Sequence, residues 1–180
     1  MNRSRSSRLV LALALAIGVV ATGAGQAAIG QVPTPAKDAK PTVALRVHGE
    51  VAKSLELTAA DLAGLKRQTV TARAHDNRES RYEGVSLHDV LQKAVLPAGK
   101  DLRGKAVSLY LIVEAADGYQ ALFALPELDP AYTDRTILLA DRRDGQPLTA
   151  REGPYQIIVP GEKRHSRWVR QVVGLRIGKD

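Results

Sequence analysis

The chain has 180 residues, with 26 lysines and arginines against 19 acids, a formal charge of +7 and no cysteine. That length allows one domain with a substantial core. The missing cysteines exclude disulfides, a thiolate metal centre and a thiol nucleophile. The modest positive charge lacks the dense basic stripe with aromatic platforms expected of a nucleic-acid binder.

The opening stretch, MNRSRSSRLVLALALAIGVVATGAGQAA, places Arg3, Arg5 and Arg8 before an apolar run from Leu9 to Val20, followed by small residues. This layout predicts a secretory signal peptide over residues 1–27, cleaved after Ala27 or, alternatively, Ala24. The apolar run of about twelve residues is short for a membrane span, which needs roughly 20. A retained N-terminal anchor is the competing reading. No two arginines are adjacent, so the general secretory route, which threads unfolded chain, is favoured over the twin-arginine route. A lipidated cysteine is excluded. Cleavage would remove three arginines and no acids, lowering the charge from +7 to +4. The expected location is periplasmic or secreted, with no transmembrane span left in the mature protein.

Residues 28–41, AIGQVPTPAKDAKP, hold three prolines and little that could pack, and read as a flexible linker. The folded domain is expected over 42–180. In TVALRVHGE, Val43, Leu45 and Val47 alternate with polar or small residues, which predicts a strand ending at Gly49. SLEL predicts a second short strand. Thr58 and Asp61 form a capping box opening a short helix to about Leu65. TVTARAH alternates as a strand with one polar face. Ser86 can cap an amphipathic helix in which Leu87, Val90, Leu91 and Ala94 share one side, stopped before Pro97.

VSLYLIVEA is nearly all apolar and predicts a central strand. Asp117-Gly118 turns it into YQALFA. LPELDP suggests one helical turn, and TILLA another strand. Asp144-Gly145 turns again before the strand YQIIV. In the last strand Val169, Val173, Leu175 and Ile177 alternate with Arg170, Val172, Gly174 and Arg176. Strands outnumber helices and connections are short. The expected class is α+β: a strand-dominated, mixed or antiparallel sheet with a few short helices on its side.

For chemistry, the four histidines (His48, His75, His88 and His165) lack the i, i+4 spacing of a helical zinc site. No Gly-x-Ser-x-Gly elbow is present. Ser166 has His165 beside it, but triads are assembled from distant segments. The carboxylates Glu127, Asp129, Asp141 and Asp144 sit where turns carry them. The basic loop GEKRHSRW is the remaining candidate. After the Pro160-Gly161 turn, backbone N–H groups with Lys163, Arg164 and Arg167 could form an anion-binding nest. A solvated loop with Trp168 plugging the core is an equal alternative.

Three stretches, YEGVSLHDVLQKA, AADGYQALFALPELD and TILLADRRDGQPLTAREGPYQIIVPGEKRHSRWVRQVVGLRI, together resemble the oxidoreductase molybdopterin-binding domain, the central domain of sulfite oxidase and its bacterial relatives. The resemblance spans roughly residues 42–178. It implies a predominantly β, mixed α/β fold around a pterin-bound molybdenum. It also implies that Arg164, His165 and Arg167, with Trp168 beside them, match positions holding the cofactor's pyranopterin and phosphate. Tyr119 belongs to a second family landmark and reads as structural.

The departures from the family are chemical. Its enzymes bind molybdenum through a cysteine thiolate, and this chain has none. The segment where that ligand would be expected is only DNRES, with His75 the nearest potential donor. Imidazole is neutral and borderline where thiolate is anionic and soft. The turn from Gly161 to Arg164 is shortened, and the N-terminal portion that adds pterin contacts is missing. A chain threaded unfolded could not carry a bound pterin across.

The sequence therefore predicts a stand-alone domain without molybdenum chemistry and with no resident cofactor. It would bind an anionic small molecule or a periplasmic protein through a basic pocket of Lys163, Arg164, His165 and Arg167, with Arg73 and His75 from the polar strand face. The alternative is a genuine molybdopterin-dependent oxidoreductase with a non-cysteine ligand. A third reading is a structural domain without a ligand.

Overall fold

In a computed structural model, described here for residues 42–179, ten strands make two sheets and the helices are few and short. The predicted signal peptide and linker lie outside the described residues. Among the described residues, no helix is long and apolar enough to cross a membrane.

The first sheet combines β1 (Val43–Gly49), β2 (Leu55–Thr58), β5 (Tyr110–Ala115), β6 (Gln120–Ala124) and β10 (Val172–Gly178) in the order β2-β1-β10-β5-β6. β1 runs parallel to β10 and the other pairs are antiparallel, so the sheet is mixed, as the pattern predicts. The apolar strand β5 is interior, but the centre belongs to β10.

The second sheet holds β3 (Arg67–Arg73), β4 (Glu79–Ser86), β7 (Leu138–Arg143) and β8 (Gln146–Pro147), with β9 (Gln156–Ile158) also paired to β7. The strands thus divide between two sheets rather than one. β4 carries no apolar periodicity because its inward positions are Ser80, Tyr82 and Gly84, one small and polar and one without a side chain. Gly84 is required there. A Cβ would stand 2.1 Å from the Leu139 carbonyl oxygen, where β4 bulges against β7.

α1 (Ala59–Ala63) forms as expected. The Thr58 hydroxyl accepts from the Asp61 N–H at 3.2 Å, and the Asp61 carboxylate accepts from the Thr58 N–H at 2.8 Å. α2 (Leu87–Gln92) is capped by Ser86 and buries Leu87, Val90 and Leu91. LPELDP forms a single 3-10 turn over Leu125–Leu128.

One hydrophobic cluster draws from both sheets, including Leu45, Val47, Leu111, Val113, Leu175 and Ile177 from the first and Val85, Leu138, Leu139, Ile157 and Ile158 from the second. Neighbouring Leu138 and Leu139 are both buried, so β7 is covered on both faces, which explains its continuous apolar run.

The last strand departs from simple alternation. Val172 is buried and Val173 exposed, the reverse of the predicted phase. A register shift between Val172 and Gly174 against β5 resets the alternation before Leu175. The strand also begins only at Val172, with Gln171 at φ 48°, so residues 168–171 are loop rather than strand.

The Gly84 contact yields a test. Gly84→Ala should cost about 1–3 kcal/mol through backbone overpacking. That corresponds to a fall in Tm on the order of 5–10 °C by circular dichroism; an unchanged Tm would contradict the packing described.

Candidate functional site

The end of β3, the β5–β6 hairpin turn and the loop before β10 meet around Trp168. This indole is 6 % exposed and donates its Nε1–H to the Val159 carbonyl at 3.1 Å. Its edge-on partners are Tyr82, at 5.6 Å between ring centroids, and His165, at 4.5 Å. Such geometry matches the ring quadrupoles. Trp168 therefore plugs the core and also walls a site, and the two readings of it combine.

Two hollows share His75, Trp168 and Arg170. The outer, about 320 Å³, is completed by Ala115, Asp117, Tyr119, His165, Ser166 and Val169. The inner, about 200 Å³, is bounded by Ala74, Asp76, Tyr82, Arg143, Glu152 and Gln156. The His75 and His165 rings lie 4.3 Å apart, and His165 Nε2 is 2.7 Å from the Arg73 carbonyl oxygen. Tyr119 donates its hydroxyl to the Ser166 carbonyl at 2.6 Å, tying the hairpin turn to the basic loop. This gives the family landmark a structural task.

The predicted basic pocket is only partly assembled. His75 and His165 meet in it, and Arg73 contributes its backbone carbonyl while its guanidinium leans outward toward Glu79 and the Asn77 carbonyl. Lys163 and Arg164 are exposed and line neither hollow. Arg167 points elsewhere. Its guanidinium is bonded to Glu162 and lies 3.0 Å from Glu127, and it stacks 4.6 Å over the Phe123 ring. Two carboxylates already neutralise it, so Arg167 is a clamp holding the loop to the 3-10 turn rather than an anion ligand.

Arg170 takes the place expected of Arg167. It is half-buried, lines both hollows, and has no carboxylate within 4 Å among the described residues. Arg143, by contrast, is committed to Ser80, Asp76, Asp144 and Glu152. Strand alternation hides Arg170, because it assigns that residue to a solvent-facing row that does not exist. Gln156 is also unannounced, although a glutamine within the apolar run YQIIV is a visible anomaly.

A larger hollow of about 500 Å³ lies on the open face of the first sheet, lined by Ala44, Arg46, His48, Glu114, Val173 and Gly174. Its charges satisfy one another. Glu114 pairs with His48 at 3.0 Å and with Arg176 at 3.1 Å, and Arg46 pairs with Glu56 at 3.5 Å. It has less unmet charge than the Trp168 site, which we take as the functional candidate.

His75 is exposed, and partial desolvation of its imidazole sets its pKa below the ordinary value; the charges of His165 and Arg170 act in the same direction, and Asp76 opposes them. His75 is therefore neutral at neutral pH. Because the folded pKa is depressed, folding loses stability as pH falls below the unfolded value of about 6.5 toward the folded one. His75→Asn should slightly flatten the stability–pH profile just below about pH 6.5 in chemical unfolding, the effect being small because the side chain is exposed. An identical slope in the variant would contradict this.

The donor set does not fit a molybdenum centre of the thiolate type. The chain has no cysteine, and no group of three histidine, aspartate or glutamate side chains converges to hold a metal among the described residues. The nearest imidazole, His75, is stacked on His165.

Comparison with known proteins gives the lineage. The chain resembles one chain of the sulfane dehydrogenase SoxCD from Paracoccus pantotrophus with a TM-score of 0.59 and 23 % identity, over 76 % of this chain and 38 % of that one. At this identity the likeness establishes the fold, and this chain spans well under half of its neighbour's length. No curated protein sequence matches it. The sequence model of the oxidoreductase molybdopterin binding domain, however, matches residues 30–179. The chain therefore belongs to the oxidoreductase molybdopterin binding domain family.

Proposed function

We propose that this protein is an exported, non-redox member of its family that binds a small anion in the cleft around His75, His165, Trp168 and Arg170. The observation that carries the reading is the half-buried Arg170, which has no carboxylate partner among the described residues while Arg143 and Arg167 each face two or more. A half-buried guanidinium without a counter-charge favours an anionic occupant. Asp117 in the outer hollow and Asp76 and Glu152 in the inner one share the lining with Arg170, but none of them pairs with it within 4 Å. The basic and apolar layout of residues 1–20 supports export. An acidic side chain of a periplasmic partner could meet the same guanidinium.

Molybdenum chemistry of the family type would need a thiolate that this chain does not supply. The fold alone does not carry the activity. Membership in the family favours a second reading, a molybdopterin-dependent oxidoreductase with a non-cysteine ligand. In that case His75 would be the nearest donor.

Isothermal titration of the mature protein with inorganic phosphate, sulfate and citrate tests the first reading. At least one anion should bind, and Arg170→Ala should weaken it by about 10- to 100-fold, the value of a charge-assisted bond. Arg167→Ala should instead lower stability by about 1–3 kcal/mol, because it strands the partly buried Glu162 and leaves Glu127 with Arg135 alone, while leaving the anion bound. Equal affinity in wild type and Arg170→Ala would place the site elsewhere.

A further inference from the structure

The inner hollow contains a feature that a bare positive charge does not explain. Gln156 is 4 % exposed, lines the hollow, and its Oε1 is buried without a hydrogen-bond partner. Buried carbonyl oxygens in folded proteins are nearly always satisfied, so one left open beside a polar cavity marks a place for a donor. Arg170 lines the same hollow, and its guanidinium can take an ionised oxygen. The lining also holds Asp76 and Glu152, both of which face Arg143, so the four charges balance in number and Arg170 is the arginine left without a carboxylate within 4 Å among the described residues.

From this pairing we infer that the inner hollow selects an oxyanion that still carries a proton, with monohydrogen phosphate as its simplest example. The inference rests on the anion-binding reading above and deepens it. Arg170 would hold an ionised oxygen, and the remaining hydroxyl would donate to Gln156 Oε1. Burial raises the pKa of Tyr82, so the phenol on the same wall keeps its proton and can serve as a further donor.

About 200 Å³ is sufficient for one tetrahedral anion or a few waters, and too small for a bulky ligand. Sulfate has the same shape and charge as monohydrogen phosphate but no proton at neutral pH. It would set oxygen lone pairs against Gln156 Oε1 and leave that carbonyl buried and unmet, which is the costly case. A phosphate monoester, whose last proton leaves near pH ~6, should likewise be rejected at pH 7.5.

The test is calorimetric titration of the mature protein at pH 7.5 with inorganic phosphate, sulfate and methyl phosphate. Phosphate should bind about 10- to 100-fold more tightly than either competitor. Gln156→Leu should reduce that preference to within about threefold while Arg170→Ala weakens every anion. The wild-type comparison decides the matter even if Gln156→Leu fails to fold. Equal phosphate and sulfate affinities, both lost in Arg170→Ala, would overturn the proton selectivity and leave the anion site standing. No binding of any of the three would overturn both.

Discussion

The site depends on the seating of Trp168. Its indole N–H is committed to the Val159 carbonyl and its edges to Tyr82 and His165, so the ring is fixed from three directions. Because it is fixed, it can act as a common wall for two hollows, with Arg170 two residues beyond it turned toward both. The Arg167 clamp to Glu127 and Glu162 and the Tyr119 bond to Ser166 hold the rest of the loop to the first sheet. The charge in GEKRHSRWVR is therefore divided. Arg167 maintains the loop, Lys163 and Arg164 face solvent, and Arg170 remains available to a ligand.

This division gives the family membership its chemical meaning. The family is described as binding molybdopterin, but this polypeptide offers no thiolate, and no group of three histidine, aspartate or glutamate side chains converges to hold a metal among the described residues. What the cavity does offer is one guanidinium without a carboxylate within 4 Å among the described residues, one unmet amide oxygen, a neutral imidazole and aromatic walls, beside an Arg143 that faces Asp76 and Glu152. Those groups suit recognition by charge and hydrogen bonding. They can hold a small anion without supplying an electron carrier.

Much of the fold could be read from the sequence where side-chain period and burial agree. β1, α1, β5, β6 and the 3-10 turn of LPELDP follow their apolar spacing, caps and turn residues. β4 could not be read in that way, because a serine and a glycine occupy inward positions and leave no alternating signal. The phase of β10 was hidden for another reason, since a bulge exchanges Val172 and Val173 between faces. The same loop-to-strand boundary concealed Arg170. His75 and His165, in contrast, could be nominated as cleft residues, one from the polar end of a strand and one from the basic loop. Arg167 was misleading because one of its two neutralising partners, Glu127, lies 40 residues away in sequence, beyond what a local pattern can register, while the other, Glu162, sits in the same loop.

The proposed absence of molybdenum chemistry is tested most directly by the composition of the native protein. Protein recovered from the cell envelope should be analysed by native mass spectrometry together with elemental analysis. A polypeptide mass with less than about a tenth of an equivalent of molybdenum, carrying at most a small anionic adduct, is the expected result, since no thiolate anchors the metal. Stoichiometric molybdenum with a pterin mass, retained through purification, would contradict it.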